Sequence, residues 1–240
     1  MKLLVTAATK LELLPIKWPL RKAKIPGLSV DFLVTGIGPY ETLHSLTKYL
    51  KMPFPSSKEG ARGRLPDLII NIGIAGYTSP QTGLTKSSNE NSRPVWRGDI
   101  YQIARVIQAH TNKERVLALH LKDLPAATCI CSDTPIKSEE VLSKFLAITS
   151  RDSEIRRGGS EWHVDDSSGN WPLVTGNCLV DMESWSVCWL AEKYNISKVL
   201  LKIAYDRVGK ETEKFDKHEC EKFLEEIELW NIIEQIKWLL

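Results

Sequence analysis

The sequence lacks the features that would place it in several large protein classes. Cysteine is sparse: Cys129, Cys131, Cys178, Cys188 and Cys220 form an odd set with no repeated Cys-x-x-Cys. A disulfide scaffold needs densely spaced pairs and a zinc ribbon needs two close pairs, so neither is expected. His44, His110, His120, His163 and His218 are scattered, without His-Glu-x-x-His or His-x-His spacing. No metal-ligand set is visible, and no metal or other cofactor is expected. Neither charge is in surplus. Lys and Arg number 32 against 30 Asp and Glu, whereas a dedicated nucleic-acid binder carries a clear basic excess. No apolar run approaches the roughly eighteen residues of a membrane span. The opening MKLLVTAATKLELL has a lone Lys2, and Lys10 and Glu12 interrupt its apolar stretch, so it does not read as a signal peptide. A cytoplasmic protein is expected, with neither nucleic acid nor membrane as partner.

What the chain does have is 240 residues with 42% hydrophobic and 26% charged content, enough for one domain over residues 1–240 with a sizeable core. Short apolar runs at 3–8, 30–35, 67–74, 98–106, 127–131 and 198–204 read as strands, several of them apolar enough to be buried on both faces. Pro15, Pro19 and Pro26 are expected to break up the connection after the first run. Leu43, Leu46, Tyr49 and Leu50 follow helical spacing, and 138–146, 181–194 and 211–240 also read as helical. Polar stretches at 52–65, 81–94 and 150–170 read as loops. Strands alternating with helices imply an α/β fold whose sheet is covered on both sides. Ligands in such folds bind at the carboxyl ends of the strands.

Those ends carry residues that a sheet does not need. Glu12 follows the first run, Gly36 and Gly38 the second, and Gly73 and Gly76 close the third. Asp206 follows KVLLKIAY, where it reads as a turn residue or a catalytic one. Asp181 and Glu183 stand where an acidic first turn of a helix is favourable with no function at all. Glu12, taken alone, reads as a solvated loop charge. Cys129 and Cys131 fall on one face of a strand, as a buried small pair or a redox pair.

Taken together, MKLLVTAATKLEL, VTGIGPYET, LIINIGIAG, GDIYQIARV, VDMESWSV and KIAYDRVG resemble, in order and interval, the nucleoside phosphorylase/nucleosidase superfamily. The sharpest piece is Met182-Glu183 followed by Asp206. GIAG and AATKLEL look most like futalosine hydrolases, with the methylthioadenosine/adenosylhomocysteine nucleosidases as sister group. The resemblance implies a three-layer α/β/α fold with a central mixed, partly barrel-like sheet. It also implies cleavage of the N-ribosidic bond of a purine nucleoside, most like futalosine to hypoxanthine in menaquinone biosynthesis. By the same resemblance Asp206 is the acid that protonates the departing base, and Glu12 is the base that orients water. Glu183 accepts hydrogen bonds from the ribose hydroxyls, and Met182 packs against the sugar. Ile74, Ala75, Gly76, Pro135 and Tyr205 line the base pocket, and the assembly is a homodimer or larger.

Phosphorolytic members carry an arginine in the first strand-end loop and another before the third-strand glycine, because phosphate is a dianion. Here Lys10 alone stands in the first loop and Asn71 in the second place, which favours water as nucleophile. The chain also departs from the adenine-releasing members. Pro135 replaces a stacking aromatic residue, Ile74 a serine, and Tyr205 a frequent serine; Trp162 and Trp171 are candidates for the missing stacking surface. These departures leave open a methylthioadenosine or adenosylhomocysteine nucleosidase, and a non-catalytic nucleoside-binding relative. An amide fills the volume of a carboxylate, so Glu12→Gln is expected to spare folding.

Overall fold

A computed structural model describes residues 1–23, 25–51, 65–77, 95, 97–117, 121, 124–136, 178–208, 216–225, 227 and 232–235. Its organising element is β3 (Leu68–Tyr77), an apolar strand that alternates between two cores. On one edge it pairs in parallel with β1 (Lys2–Ala7), which in turn pairs with β2 (Ser29–Val34). On the other edge it runs parallel to β8 (Ser197–Arg207) over its whole length. Only its far end, Gly76 and Tyr77, also meets β7 (Cys178–Asp181), and there the pairing is antiparallel. From β7 the sheet continues in parallel through β6 (Ala126–Cys131) to β4 (Ile100–Gln108), and β4 returns antiparallel to β8. Strands β3, β7, β6, β4 and β8 therefore close a ring, with β1 and β2 extending from β3 and the short β5 (Glu114–Val116) from β4. This is the mixed, partly barrel-like sheet that the resemblance implies.

Helices cover both sides. Leu68, Ile70 and Ile72 pack with Leu13, Ile16 and Leu20 of α1 (Lys10–Ala23) and with Cys220 and Leu224 of α4 (Lys217–Glu225). Ile69 packs on the opposite side with Leu46 and Leu50 of α2 (Pro39–Lys51) and Val187 and Leu190 of α3 (Ser184–Lys193). Cys129 and Cys131 share a face in a third buried cluster with Leu200 and Ala204. No described helix is long and apolar enough to cross a membrane.

Three expectations are corrected. Pro15 and Pro19 do not break the first connection but lie inside α1. Each removes a backbone donor at a cost of about 3 kcal/mol, and the helix is held by its buried stripe of Leu13, Ile16 and Leu20. Residues 181–194 are not one helix: Asp181 ends β7, and α3 begins only at Ser184. A four-residue strand is too short to show a period in sequence. Asp206 does not follow its strand but belongs to it, because β8 continues to Arg207 alongside β3. The polar triplet of β5 gave no strand signal either. The helix expected at 138–146, the loops at 81–94 and 150–170, and Trp162 and Trp171 lie outside the described residues.

Candidate active site

Glu12 is 4% exposed, far from the solvated charge its position suggests. It stands in the first turn of α1 and closes a reciprocal cap with Thr9. Glu12 Oε2 accepts from the Thr9 amide at 2.8 Å and from its hydroxyl at 2.9 Å, while Thr9 Oγ1 accepts the Glu12 amide at 3.3 Å. Such a box satisfies two orphan donors of the helix start. The other oxygen, Oε1, reaches across to β3 and accepts the Ile74 amide at 3.0 Å. Gly73 makes that reach possible. A Cβ there would lie 3.0 Å from Glu12 Oε1 and 3.4 Å from Lys202 Nζ, close enough that the carboxylate would have to shift from its place.

Glu183 is gathered from the opposite side of the sheet. Its Oε1 accepts the Gly38 amide at 2.8 Å, in the turn between β2 and α2. Gly38 has φ +94°, a conformation that favours glycine, and a Cβ there would meet Met182 Cε at 3.6 Å. Burial, reinforced by the Asp181 carboxylate, raises the Glu183 carboxyl to about 7 against the pull of Lys202 and the Gly38 amide. The negative charge of Glu12 acts on Glu183 in the same direction, so the two carboxylates share one electrostatic environment.

Behind them lies a pair that sequence reasoning missed. Lys202 Nζ is 2.7 Å from Asp181 Oδ2. The same carboxylate oxygen accepts the Ser184 hydroxyl at 2.5 Å and the Ser184 amide at 3.1 Å. Burial alone would raise the Asp181 carboxyl, but the Lys202 ammonium and these donors hold it below the ordinary value. Lys202 is conversely held above its ordinary value by Asp181 and Glu183, despite its burial. The available signal was the lysine itself, embedded in the apolar run KVLLKIA of a buried strand. It also bears on the choice of nucleophile: a cation does face this region, but it is already committed to Asp181. Lys10 is exposed, and Asn71 is buried with its amide donating to Thr6 Oγ1 at 3.1 Å.

Asp206 sits just beyond an irregularity in the β3–β8 pairing. Ala75 is in register with Ala204 and Gly76 with Asp206, leaving Tyr205 as the extra residue of a bulge. Ala75 is buried beside Ala204, and a Cβ at Gly76 would lie 2.9 Å from Val208 Cγ2. The structure thus joins Glu12 to the Ile74 amide, and Glu183 and Met182 to Gly38, with Asp206 on β8 opposite Gly76. The side chains of Ile74 and Tyr205 are placed elsewhere, in the core formed with α1 and α4. Pro135 is exposed beyond the end of β6, where the Ser132 amide bonds the Asp181 carbonyl at 2.9 Å. Among the described residues, no group of three or more His, Cys, Asp or Glu side chains could hold a metal ion.

No protein-family model matches the sequence, and no curated protein matches it. Solved structures do resemble it. The Chlamydia trachomatis protein CT263 (MTAN) bound to MTA is 18% identical, over 96% of this chain and 98% of that one, with a TM-score of 0.54. The 5′-methylthioadenosine/S-adenosyl homocysteine nucleosidase of Campylobacter jejuni is 14% identical over 98% of both chains, with a TM-score of 0.59. A Borrelia burgdorferi B31 protein bound to adenine is 14% identical over 99% of this chain and 100% of that one, with a TM-score of 0.60. The likeness runs over essentially the full length of both partners, and it is a likeness of fold.

Proposed function

We propose that this protein hydrolyses the N-ribosidic bond of a purine nucleoside. The observation that carries the reading is a pair of buried carboxylates, Glu12 and Glu183, each just past a strand end and each fixed by a backbone amide of a different strand or turn. The reaction passes through an oxocarbenium-like ribose, as in O-glycoside cleavage. Glu12, with both oxygens aligned by Thr9 and Ile74, orients and deprotonates the attacking water. Glu183 accepts from the ribose hydroxyls, and Met182 packs on the sugar beside Gly38. Asp206 supplies a proton to the departing base, which otherwise leaves as a poor anion. Water is the nucleophile, because Lys202 is neutralised by Asp181 and the two places where phosphorolytic members carry arginine hold an exposed Lys10 and a buried Asn71.

Futalosine is the proposed substrate, on the likeness of AATKLEL and NIGIAG to futalosine hydrolases. A second reading, methylthioadenosine or adenosylhomocysteine, is favoured by the structural neighbours, one bound to MTA and another to adenine. We also propose a homodimer or larger assembly, consistent with the exposed Trp18, Tyr40 and Val116 at 60%, 75% and 76%. A mass by light scattering at micromolar concentration tests that part, and a monomer removes it. The substrate is tested by chromatography after incubation with futalosine, methylthioadenosine, adenosylhomocysteine and inosine, with and without phosphate. Hypoxanthine from futalosine, independent of phosphate, is expected. Adenine from methylthioadenosine with futalosine untouched moves the protein to the second reading, and no base from any substrate removes the catalytic one.

A further inference from the structure

Tyr205 is the extra residue of the β8 bulge immediately before Asp206, and its hydroxyl is used in both directions. It donates to the Asp216 carbonyl at 2.9 Å and accepts the Asp216 amide at 2.8 Å. Asp216 in turn caps α4, with Oδ1 accepting the amides of His218 at 2.8 Å and Glu219 at 3.2 Å. The ring is 1% exposed. The Arg97 guanidinium lies 4.4 Å from its centroid and also bonds Glu219 at 2.5 Å. Phe223 of α4 meets it edge-on at 6.4 Å and 72°.

The chain on either side is secured by the sheet. Ala204 exchanges hydrogen bonds with Gly98 and Asp99 at 2.8 and 3.0 Å, and the Val208 amide bonds the Tyr77 carbonyl at 3.0 Å. A bulged residue is left out of the ladder, and the angle at which it aims its neighbours depends on what holds it. Here that hold is α4. Helix α4 also packs against α1, which carries Glu12, and against β8, which carries Asp206. A hydroxyl committed to the two backbone groups of one residue is a fixture and not a pocket wall.

We infer that Tyr205 is a positioning residue for Asp206, clamping the β8 bulge to the start of α4 so that the carboxyl is held at a fixed angle toward the departing base. The inference rests on the acid role proposed for Asp206. The test is Tyr205→Phe, which deletes the hydroxyl with all its hydrogen bonds, including that to Glu219 Oε2 at 3.5 Å, and keeps the ring. Its first readout is the titration of the Asp206 carboxyl by 13C NMR, assigned by its loss in Asp206→Asn. The midpoint should move by about half a pH unit or more as the environment of the carboxyl loosens. The second readout is turnover: kcat should fall about 10–100-fold, as expected of a misaligned group, with KM within about twofold. In the Asp206→Asn background the further fall should be under about twofold, because the two residues act through one carboxyl.

An Asp206 titration unchanged by Tyr205→Phe would overturn the inference, as would an equal loss of kcat in both backgrounds, which marks a general structural effect. Should Tyr205→Phe fail to fold, Arg97→Met loosens the same clamp from outside. It should shift the Asp206 titration in the same direction by less, and no shift counts against the inference. If Asp206→Asn leaves hydrolysis intact, the acid role fails, while the titration still decides whether Tyr205 positions the carboxyl.

Discussion

Lys202 and Asp181 form an ion pair of 2.7 Å with both side chains 1% exposed; Asp181 ends β7 two residues before Glu183, and Lys202 lies on β8 four residues before Asp206. Taking two charges out of water is expensive, and what keeps them there is each other and the donors of Ser184. Removing one member strands the second. Lys202→Met should destabilise the protein by about 3–5 kcal/mol, and Lys202→Met with Asp181→Asn by less than the single change. Urea unfolding reads both. A single substitution costing under about 1 kcal/mol would mean that the pair is not formed as described.

Glu183 makes stability fall as pH rises. Its carboxyl is raised by burial to about 7, whereas the unfolded chain carries it near 4.5. Between those values the folded state binds the extra proton, so the neutral form is favoured by folding. That advantage is complete below the unfolded value and is lost as pH climbs through about 7. Relative to Glu183→Gln, the wild-type protein should lose roughly 2–3 kcal/mol of unfolding free energy between about pH 5 and 8. The ribose role gives an opposite trend in binding. An ionised carboxylate accepts from two hydroxyls, so KM should rise as pH falls below about 7. A difference in stability between the two proteins that does not change with pH would refute the raised value.

Much of this site was legible because its residues are chemically out of place in sequence: glycines at strand ends, a carboxylate after an apolar run, a Met-Glu pair before a helical stretch. The strands were legible for the same reason, as unbroken apolar runs. Partners were not. Nothing in TKLE or NIGI reveals that Glu12 bridges the α1 cap to the β3 backbone, because Thr9 and Ile74 meet it only after β1 and β3 pair. Lys202 does not declare its role in sequence, since a lysine inside a buried strand has meaning only through Asp181 on another strand. Tyr205 entered as a pocket residue through the family resemblance, yet alternation along β8 puts its ring with Leu201 and Ile203 in the core beneath α1 and α4. The helix α1 was hidden by Pro15 and Pro19, whose local penalty is outweighed by packing that is invisible locally.

The Glu12 contacts revise the view that an amide would be innocent there. Both carboxylate oxygens accept backbone amides, from Thr9 and from Ile74. In Glu12→Gln the NH2 group must oppose one of those donors, leaving it unsatisfied at about 1–3 kcal/mol. Glu12→Gln should therefore lose both stability by that amount and turnover by roughly 10²–10⁴, the usual worth of a general base. Thr9→Ala separates the two effects. It removes the hydroxyl half of the box for about 1 kcal/mol and leaves the Ile74 contact, so activity should fall far less than in Glu12→Gln. Equal activity losses in the two variants would mean that Glu12 serves only as a cap.

The acid and the nucleophile are tested together at Asp206. Asp206→Asn removes the transferable proton and keeps a hydrogen-bond donor of similar shape. Purines that leave only when protonated should lose roughly 10²–10⁴ in turnover, about 3–5 kcal/mol of barrier. Binding should change little, because the contacts proposed for Glu183 and Met182 are made in the ground state as well. A nucleoside whose base leaves readily without protonation should be spared, which distinguishes loss of the acid from damage to the site. Added phosphate should leave every one of these rates unchanged, because Asp181 already neutralises the Lys202 ammonium and Lys10 is exposed. A rate that rises in proportion to phosphate would show that Lys202 releases Asp181 to hold the anion, and the enzyme would then be a phosphorylase.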